Sequence, residues 1–284
     1  MTQASVEYLI FGCGYLGMRL ARRLLPAHPG RVAALTRHRQ AELAACGLLP
    51  IGGDVTDPDS LTALPLARCV VYCVGLDRRS GQSMQQVYVN GLANVLARLP
   101  RPQRFVYVSS TSVYGQTDGS WVDESAATEP VEPSGHIVLA AERTLRQHLP
   151  DAVILRFAGI YGPGRLLREQ SLRAGQPIPA DPEKYLNLIH VDDGVEAVLA
   201  ACERAQPGAT INVADDAPPR RREFYTTLAR LLSAPPPRFA PLPDGDPPAN
   251  RRISNRTLRH TLGVSLQYPD YSRGLEQAIV GESN

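Results

Sequence analysis

The sequence predicts an α/β protein with a doubly wound parallel sheet and a small C-terminal lobe. Strand-like and helix-like segments alternate through the first 160 residues, an order typical of parallel strands joined by crossover helices. The run Cys69–Val74 is apolar throughout, as expected of a strand that helices cover on both faces. With 284 residues, 43% of them hydrophobic, the chain can bury a core of this kind.

Each element follows from its own pattern. The first helix, Tyr15–Leu25, places Leu16, Leu20 and Leu24 on one face. The predicted strands are Val6–Phe11, Arg31–Leu35, Leu48–Ile51, Cys69–Val74, Arg104–Ser109 and Ala152–Arg156. The other predicted helices are Gln82–Leu99, Ile137–Leu149 and two shorter covering helices in LTALPLA and RRREFYTTLARLL.

Composition and charge exclude several classes of protein. The formal net charge of +2 gives no electrostatic basis for binding nucleic acid or a membrane surface. The longest strongly apolar run, Cys69–Leu76, is far shorter than the roughly 20 residues of a membrane helix. The five cysteines show neither CxxC pairs nor metal-ligand spacing, which predicts a reducing compartment and no metal site. We therefore expect a soluble cytoplasmic protein.

The segment GCGYLG, between the first predicted strand and the first helix, has the GxGxxG pattern of a dinucleotide-binding turn. In such a turn Gly12 permits the tight bend and Gly14 lets the backbone approach a pyrophosphate, while Gly17 lets the helix pack closely on the strand. Tyr15 and Leu16 open the helix, whose N-terminus supplies N–H donors and positive potential. The sequence thus predicts a Rossmann fold with a cofactor site at this turn.

The end of the second predicted strand indicates which dinucleotide binds. Enzymes of this fold carry an acid about 20 residues past the glycines for NAD, or an arginine for the 2′-phosphate of NADP. Here the strand ends in ALTRHR, which contains no acid and places Thr36, Arg37 and Arg39 near the ribose. NADP is therefore favoured, with NAD as the alternative.

Six further segments resemble, in order, the signatures of extended short-chain dehydrogenases/reductases of the NAD-dependent epimerase/dehydratase family. The resemblance covers nearly the whole chain. The segments are GGDVTD, VNG with Asn94, VSSTSVYG, LRFAGIYGPG, NLIHVDD and INVADD. The resemblance implies cofactor contacts at Asp54, Val55, Val74, Gly75 and Ser109, and it places Ser110 on the catalytic serine or threonine of the family.

The resemblance fails at the residues that would move a proton. In the family, a catalytic tyrosine and lysine lie four residues apart, and these positions fall here on Ser134 and Val138. Serine is a much weaker acid than tyrosine, and valine carries no charge that could lower a neighbouring pKa. Tyr114 and Tyr161 are the substitute proton donors that we consider, although both also belong to signatures with a structural role.

A second departure concerns the substrate. Gly159 stands where enzymes of the family that act on sugar nucleotides commonly have an asparagine. His190, Asp192 and Asp193 resemble a metal-ligand set, but the HVDD stretch opens a helix, where carboxylates favour the helix dipole. We predict no metal there.

The pattern of elements divides the chain near residue 160. We predict that residues 1–160 form the dinucleotide-binding domain, with elements near 185–215 returning to it. Residues 161–284 are rich in proline and glycine, for example in QPIPADP and APPPRFAPLPDGDPP, and are predicted to form mostly a small substrate lobe. Family members often dimerise through two helices per subunit, which makes Gln82–Leu99 and Ile137–Leu149 the candidate surface of a homodimer.

Two functions of different class fit these patterns. The first is an oxidoreductase of the epimerase/dehydratase type that transfers hydride between NADP and a small hydroxy, keto or sugar-type substrate. Ser110 would bind the substrate oxygen, and Tyr114, Tyr161 or a water would handle the proton. The second is a catalytically inactive protein that binds NADP as a sensor or regulator, which the loss of the tyrosine and lysine favours.

Overall fold

The computed structural model describes residues 5–242 and 249–280 of the chain. The strands are β1 Ser5–Phe11, β2 Val32–Thr36, β3 Leu49–Gly52, β4 Leu66–Tyr72, β5 Arg104–Ser110, β6 Trp121–Val122, β7 Val153–Phe157, β8 Gly159–Tyr161, β9 Ile178–Pro179, β10 Leu188–His190, β11 Thr210–Val213, β12 Phe239–Ala240 and β13 Arg252–Ile253. The α-helices are α1 Tyr15–Leu24, α2 Gln40–Ala45, α3 Gly91–Arg98, α4 Pro133–His148, α5 Glu169–Arg173, α6 Val191–Arg204, α7 Arg221–Leu231 and α8 Tyr271–Val280. A π-helical segment, Gln85–Asn90, leads into α3.

Seven strands form the central sheet, in the order β11-β7-β5-β4-β1-β2-β3. Strand β1 pairs in parallel with β2 on one side and with β4 on the other, so the order of strands reverses there. This arrangement confirms the predicted doubly wound parallel sheet. In open sheets of this type ligands bind beyond the carboxyl ends of the strands at the point of reversal. A binding site is therefore expected at the segments that follow β1, β2 and β4.

The core of the sheet explains why its strands are apolar. Phe11, Tyr72 and Tyr107, from three adjacent strands, stack in sequence with ring centroids 5.7 Å apart in both pairs. These rings belong to a buried cluster that also takes side chains from the flanking helices, among them Leu92 and Leu145. Helices thus cover the face on which these aromatic rings lie.

Two of the predicted helices differ from the structure. The predicted helix in LTALPLA is wrong, because Pro65 lacks the N–H that a helix needs and β4 begins at the next residue. The predicted helix Gln82–Leu99 is present as the π-helical segment followed by α3. The helix predicted in RRREFYTTLARLL is confirmed as α7.

The chain divides into two compact units. The first comprises the described residues up to Val113 with Pro133–Arg156 and Ala197–Ile211, and the second comprises Tyr114–Glu132, Phe157–Glu196 and the described residues from Asn212 on. The sequence predicted a boundary near residue 160 with elements near 185–215 returning to the first domain, and it did not predict that segment 114–132 groups with the second unit. Backbone pairing explains this: β6 pairs in parallel with β13, far along the chain.

The second unit has its own core. Tyr161, Leu188, Phe224, Leu228 and Leu275 belong to one buried apolar cluster. This unit also contains two short parallel strand pairs, β8 with β10 and β9 with β12. Among the described residues, no helix has the length and apolar character needed to cross a membrane.

Candidate functional site

The turn after β1 has the geometry that its three glycines predict. Gly12 has φ of +93°, and a Cβ atom there would lie 2.5 Å from the carbonyl oxygen of Cys73. A Cβ on Gly17 would lie 2.3 Å from the carbonyl oxygen of Gly12, so any side chain would push α1 away from the turn. Both positions thus require glycine for the turn itself.

Gly14 differs from Gly12 and Gly17 because no surrounding atom of the described residues excludes a side chain there. It has φ of −86°, and a Cβ there would meet no atom of the described residues within 4 Å. A Cβ on Gly75, after β4 on the other side of β1, would likewise meet no atom of the described residues within 4 Å. Helix α1 starts directly after Gly14, and no described side chain caps its first N–H groups. The N-terminus of α1 therefore lies beside open space at Gly14, as a pyrophosphate requires.

The two residues that open α1 have different surroundings. Leu16 is buried in the core, so that only its backbone can face a ligand. The ring of Tyr15 lies under the guanidinium of Arg19, 4.0 Å from it. Leu16 can therefore offer a cofactor only its backbone.

The basic residues after β2 have distinct partners. Arg39 pairs with Glu42 and also donates a 3.0 Å hydrogen bond to the carbonyl oxygen of Cys13, which braces the glycine turn. The Thr36 hydroxyl accepts a hydrogen bond from the Arg39 N–H. Arg37 instead forms an ion pair at 3.2 Å with Asp77, in the segment after β4. Arg39 thus contacts the glycine turn, whereas Arg37 pairs with the segment after β4.

The segment after β3, which is predicted to contact the adenine side of the cofactor, is held by hydrogen bonds among its own residues. One carboxylate oxygen of Asp54 accepts hydrogen bonds from the N–H and the hydroxyl of Thr56, at 2.9 and 2.8 Å. Val55 is buried, and its carbonyl oxygen accepts a 3.0 Å hydrogen bond from the side chain of Asn94. The segment is therefore rigid, with its position fixed against the helix that follows β4.

A buried polar network lies at the end of β5. The Ser109 hydroxyl and the guanidinium of Arg156 both donate to the carboxylate of Glu142, which lies on α4. The Ser109 side chain therefore serves the network, and Ser109 can offer a cofactor only its backbone. Its neighbour Ser110 is half-buried, and its hydroxyl oxygen accepts a 3.2 Å hydrogen bond from the Ser112 N–H.

Helix α4 carries Ser134 and Val138, the two residues predicted to stand at the positions of the family's catalytic pair. Val138 is buried, and Ser134 lies half-buried in the first turn. His136, two residues on, is exposed. The apolar side chain of Val138 supplies no charge that could promote the ionisation of a neighbouring hydroxyl.

The two tyrosines considered as proton donors both lie buried in the second unit. Tyr114 is buried completely, and its hydroxyl donates a 2.9 Å hydrogen bond to Asn212 Oδ1. The hydroxyl of Tyr161 lies against Gly274 of α8, where a Cβ would lie 1.9 Å from it. Burial, with Asp215 and Asp193 nearby, raises the pKa of Tyr161 far above its usual range. These surroundings favour the structural role of both residues.

Sequence reasoning did not find three of these partners. Asp77 was missed because its pairing with Arg37 spans 40 residues. Glu142 and Arg156 did leave a signal, since each interrupts an apolar pattern: Glu142 lies within the buried stripe of α4, and Arg156 within the buried strand VILRF. A charge at such a position predicts a buried partner. No described residues group three or more His, Cys, Asp or Glu side chains as a metal site would.

The fold and the glycine turn define a protein that binds a dinucleotide at the reversal of a doubly wound sheet. The model of the NAD dependent epimerase/dehydratase family matches residues 8–214. The chain therefore belongs to the NAD-dependent epimerase/dehydratase family, and a nicotinamide dinucleotide is the cofactor that the family's description names.

Known proteins agree with this assignment. Protein YeeZ of Escherichia coli K12 is 33% identical over 275 residues, which cover 92% of this chain and 96% of YeeZ. A solved Methylobacillus flagellatus structure described as an NAD-dependent epimerase/dehydratase is also 33% identical, with a TM-score of 0.80 over 98% of this chain and 99% of that one. UDP-glucuronic acid 4-epimerase from Bacillus cereus, solved with NAD, shares the fold at 19% identity, with a TM-score of 0.77 over 98% and 100% of the two chains.

Proposed function

We propose that this protein is an NADP(H)-dependent oxidoreductase that transfers hydride to or from a small hydroxy or keto compound. Membership of the NAD-dependent epimerase/dehydratase family supports the oxidoreductase role. The observation that carries the choice of cofactor is the end of β2, where Arg37 and Arg39 stand and no acid does. An arginine there suits a 2′-phosphate, and an acid suits the free ribose hydroxyls of NAD.

The residues present fit a dinucleotide. The open space beside Gly14, at the N-terminus of α1, and beside Gly75, after β4, is what a pyrophosphate needs. We assign the adenine side to Asp54 and Val55, the 2′-phosphate side to Thr36 and Arg37, and backbone contacts to Val74 and Ser109. When bound, the nicotinamide supplies or accepts the hydride at its C4 atom.

Ser110 is the residue that we propose to bind the substrate oxygen. Its hydroxyl oxygen already accepts the Ser112 N–H, which fixes the side chain while leaving the hydroxyl proton available for donation. A donor held in place in this way stabilises negative charge that develops on a carbonyl oxygen during reduction. The proton itself would come from a water, because the hydroxyls of Tyr114 and Tyr161 are buried.

The surroundings of Gly159 argue against a sugar-nucleotide substrate. A Cβ at this position would lie 3.2 Å from the carbonyl oxygen of Asn187 and 3.3 Å from a methyl carbon of Leu188. The Asn187 amide is itself engaged, donating to the carbonyl of Arg251 and accepting from the Ile253 N–H. The asparagine of the sugar-nucleotide enzymes would therefore be crowded here, which supports a smaller substrate.

The proposed location is the cytoplasm, as unpaired cysteines suggest.

Replacing Ser110 with alanine tests the enzymatic role. NADPH oxidation would be followed with a panel of small aldehydes, ketones and keto acids. With any substrate that is turned over, Ser110→Ala should lower kcat by about a hundredfold, the typical effect of losing one oxyanion donor. NADPH affinity should stay the same, because the side chain does not serve the cofactor. Ser112→Ala is the matched control, and an unchanged kcat in Ser110→Ala would refute the assigned role.

The second candidate is a sensor that binds NADP without catalysis. The predicted replacement of both catalytic positions, by Ser134 and by the buried Val138, favours it, as does the burial of the signature tyrosines Tyr114 and Tyr161. The same substrate panel separates the two functions. Tight NADPH binding with no turnover of any substrate would support the sensor.

A further inference from the structure

The ion pair between Arg37 and Asp77 joins the two segments that flank the end of β1. Strand β1 lies between β2 and β4 in the sheet, and Arg37 follows β2 while Asp77 follows β4. The Arg37 Nη2 donates to Asp77 Oδ2 at 3.2 Å. The pair therefore reaches across the carboxyl edge of β1, where the glycine turn begins.

Asp77 is held in this position by its own turn. Its Oδ1 accepts the Arg79 N–H at 3.0 Å, and its carbonyl oxygen accepts the N–H and hydroxyl of Ser80. Arg79 also lies near the carboxylate, with Nε 3.9 Å from Oδ1, but its side chain is 96% exposed. The N–H of Arg79 and the charge of Arg37 keep the pKa of Asp77 below its usual value. Asp77 thus carries a fixed negative charge beside Arg37.

This placement conflicts with the task that the proposed function gives to Arg37. A 2′-phosphate bound by Arg37 would have to displace the carboxylate of Asp77 and then remain close to it. The cofactor without that phosphate makes no such demand. Arg39 offers no simple substitute, because Glu42 and the carbonyl oxygen of Cys13 already engage it.

We infer that Asp77 is a selectivity-determining residue that competes with the 2′-phosphate for Arg37 and so reduces the preference for NADP over NAD. This inference rests on the proposed cofactor site. Exposed ion pairs are weak, and losing one changes an affinity by a factor of about five at most. Removing the carboxylate also removes its repulsion of the phosphate, so the expected gain is about three- to tenfold.

The test is calorimetric titration of Asp77→Asn and the unaltered protein with NADPH, NADH and adenosine 2′,5′-bisphosphate. The variant should bind NADPH and the bisphosphate about three- to tenfold more tightly and leave NADH within about twofold. The gain should shrink in high salt, which screens exposed charges. In an Arg37→Met background, Asp77→Asn should bring no gain.

Asp151→Asn is the matched control. Asp151 also forms an exposed ion pair, 3.7 Å from Arg101. It precedes β7 and so lies at the amino ends of the strands, whereas the glycine turn lies at their carboxyl ends. It should change no affinity. If Asp77→Asn leaves the ratio of NADPH affinity to NADH affinity unchanged, or lowers it, this inference is overturned while the proposed function stands. Failure of the unaltered protein to bind NADPH would overturn the proposed function and the inference with it.

Discussion

Replacing Gly14 with valine should abolish dinucleotide binding while lowering the stability of the protein by no more than about 1–2 kcal/mol, the cost of a poor N-cap residue. The backbone at Gly14 has φ of −86°, which other residues adopt, and a Cβ there would touch no described atom. The new side chain would instead fill the space next to the first N–H groups of α1. Losing two hydrogen bonds to a charged phosphate costs about 3–6 kcal/mol, or at least about a hundredfold in affinity.

The measurement pairs NADPH titration with thermal unfolding of the same sample. Gly12→Ala provides the contrast, because its Cβ would collide with the carbonyl of Cys73 and the positive φ disfavours any side chain. We expect Gly12→Ala to lower the melting temperature as well as the affinity. Normal NADPH binding by Gly14→Val would show that no cofactor phosphate lies at this turn.

Replacing Glu142 with alanine should destabilise the protein by about 3–5 kcal/mol, because it removes the carboxylate that pairs with the buried guanidinium of Arg156. The two side chains are 5% and 9% exposed, and the pair makes hydrogen bonds of 2.8 and 3.1 Å. Ser109 would lose its acceptor as well. Urea unfolding followed by circular dichroism measures the change.

Two control variants separate the buried charge from a general effect of substitution. Glu169→Ala breaks an exposed pair of similar length, 2.8 Å to Arg173, and should cost less than about 1 kcal/mol. The double variant Glu142→Leu with Arg156→Met should recover much of the loss, since apolar residues of similar volume replace buried pairs well. A loss below about 1 kcal/mol in Glu142→Ala would contradict this account of the network.

Sequence patterns predicted the sheet because long apolar strands and amphipathic helices have strong local signals. The same reasoning could not find β6, β9, β12 and β13, since a strand of two residues has no periodicity to detect. The helix predicted in LTALPLA fails for a local reason, the proline before β4. Strand pairing between β6 and β13 joins segments far apart in sequence and so depends on tertiary structure.

The candidate site shows the same division. The glycine turn was predictable because the GxGxxG spacing is local in the sequence, and the structure places Gly12 and Gly17 where a Cβ atom would collide with the backbone. The partners of the basic residues were not predictable, because Arg37 pairs across 40 residues and Arg39 reaches back 26 to the glycine turn. Burial of the Tyr161 hydroxyl likewise depends on α8, more than a hundred residues later.

The most direct test of an NADP-dependent site is calorimetric titration of the protein with NADPH, NADP+ and NADH, repeated on Arg37→Asp. We predict that NADPH binds more tightly than NADH. Arg37→Asp should weaken NADPH at least about tenfold, because it replaces a charge-assisted phosphate contact with repulsion. Absence of binding by all three nucleotides would contradict the cofactor site and the oxidoreductase function that rests on it.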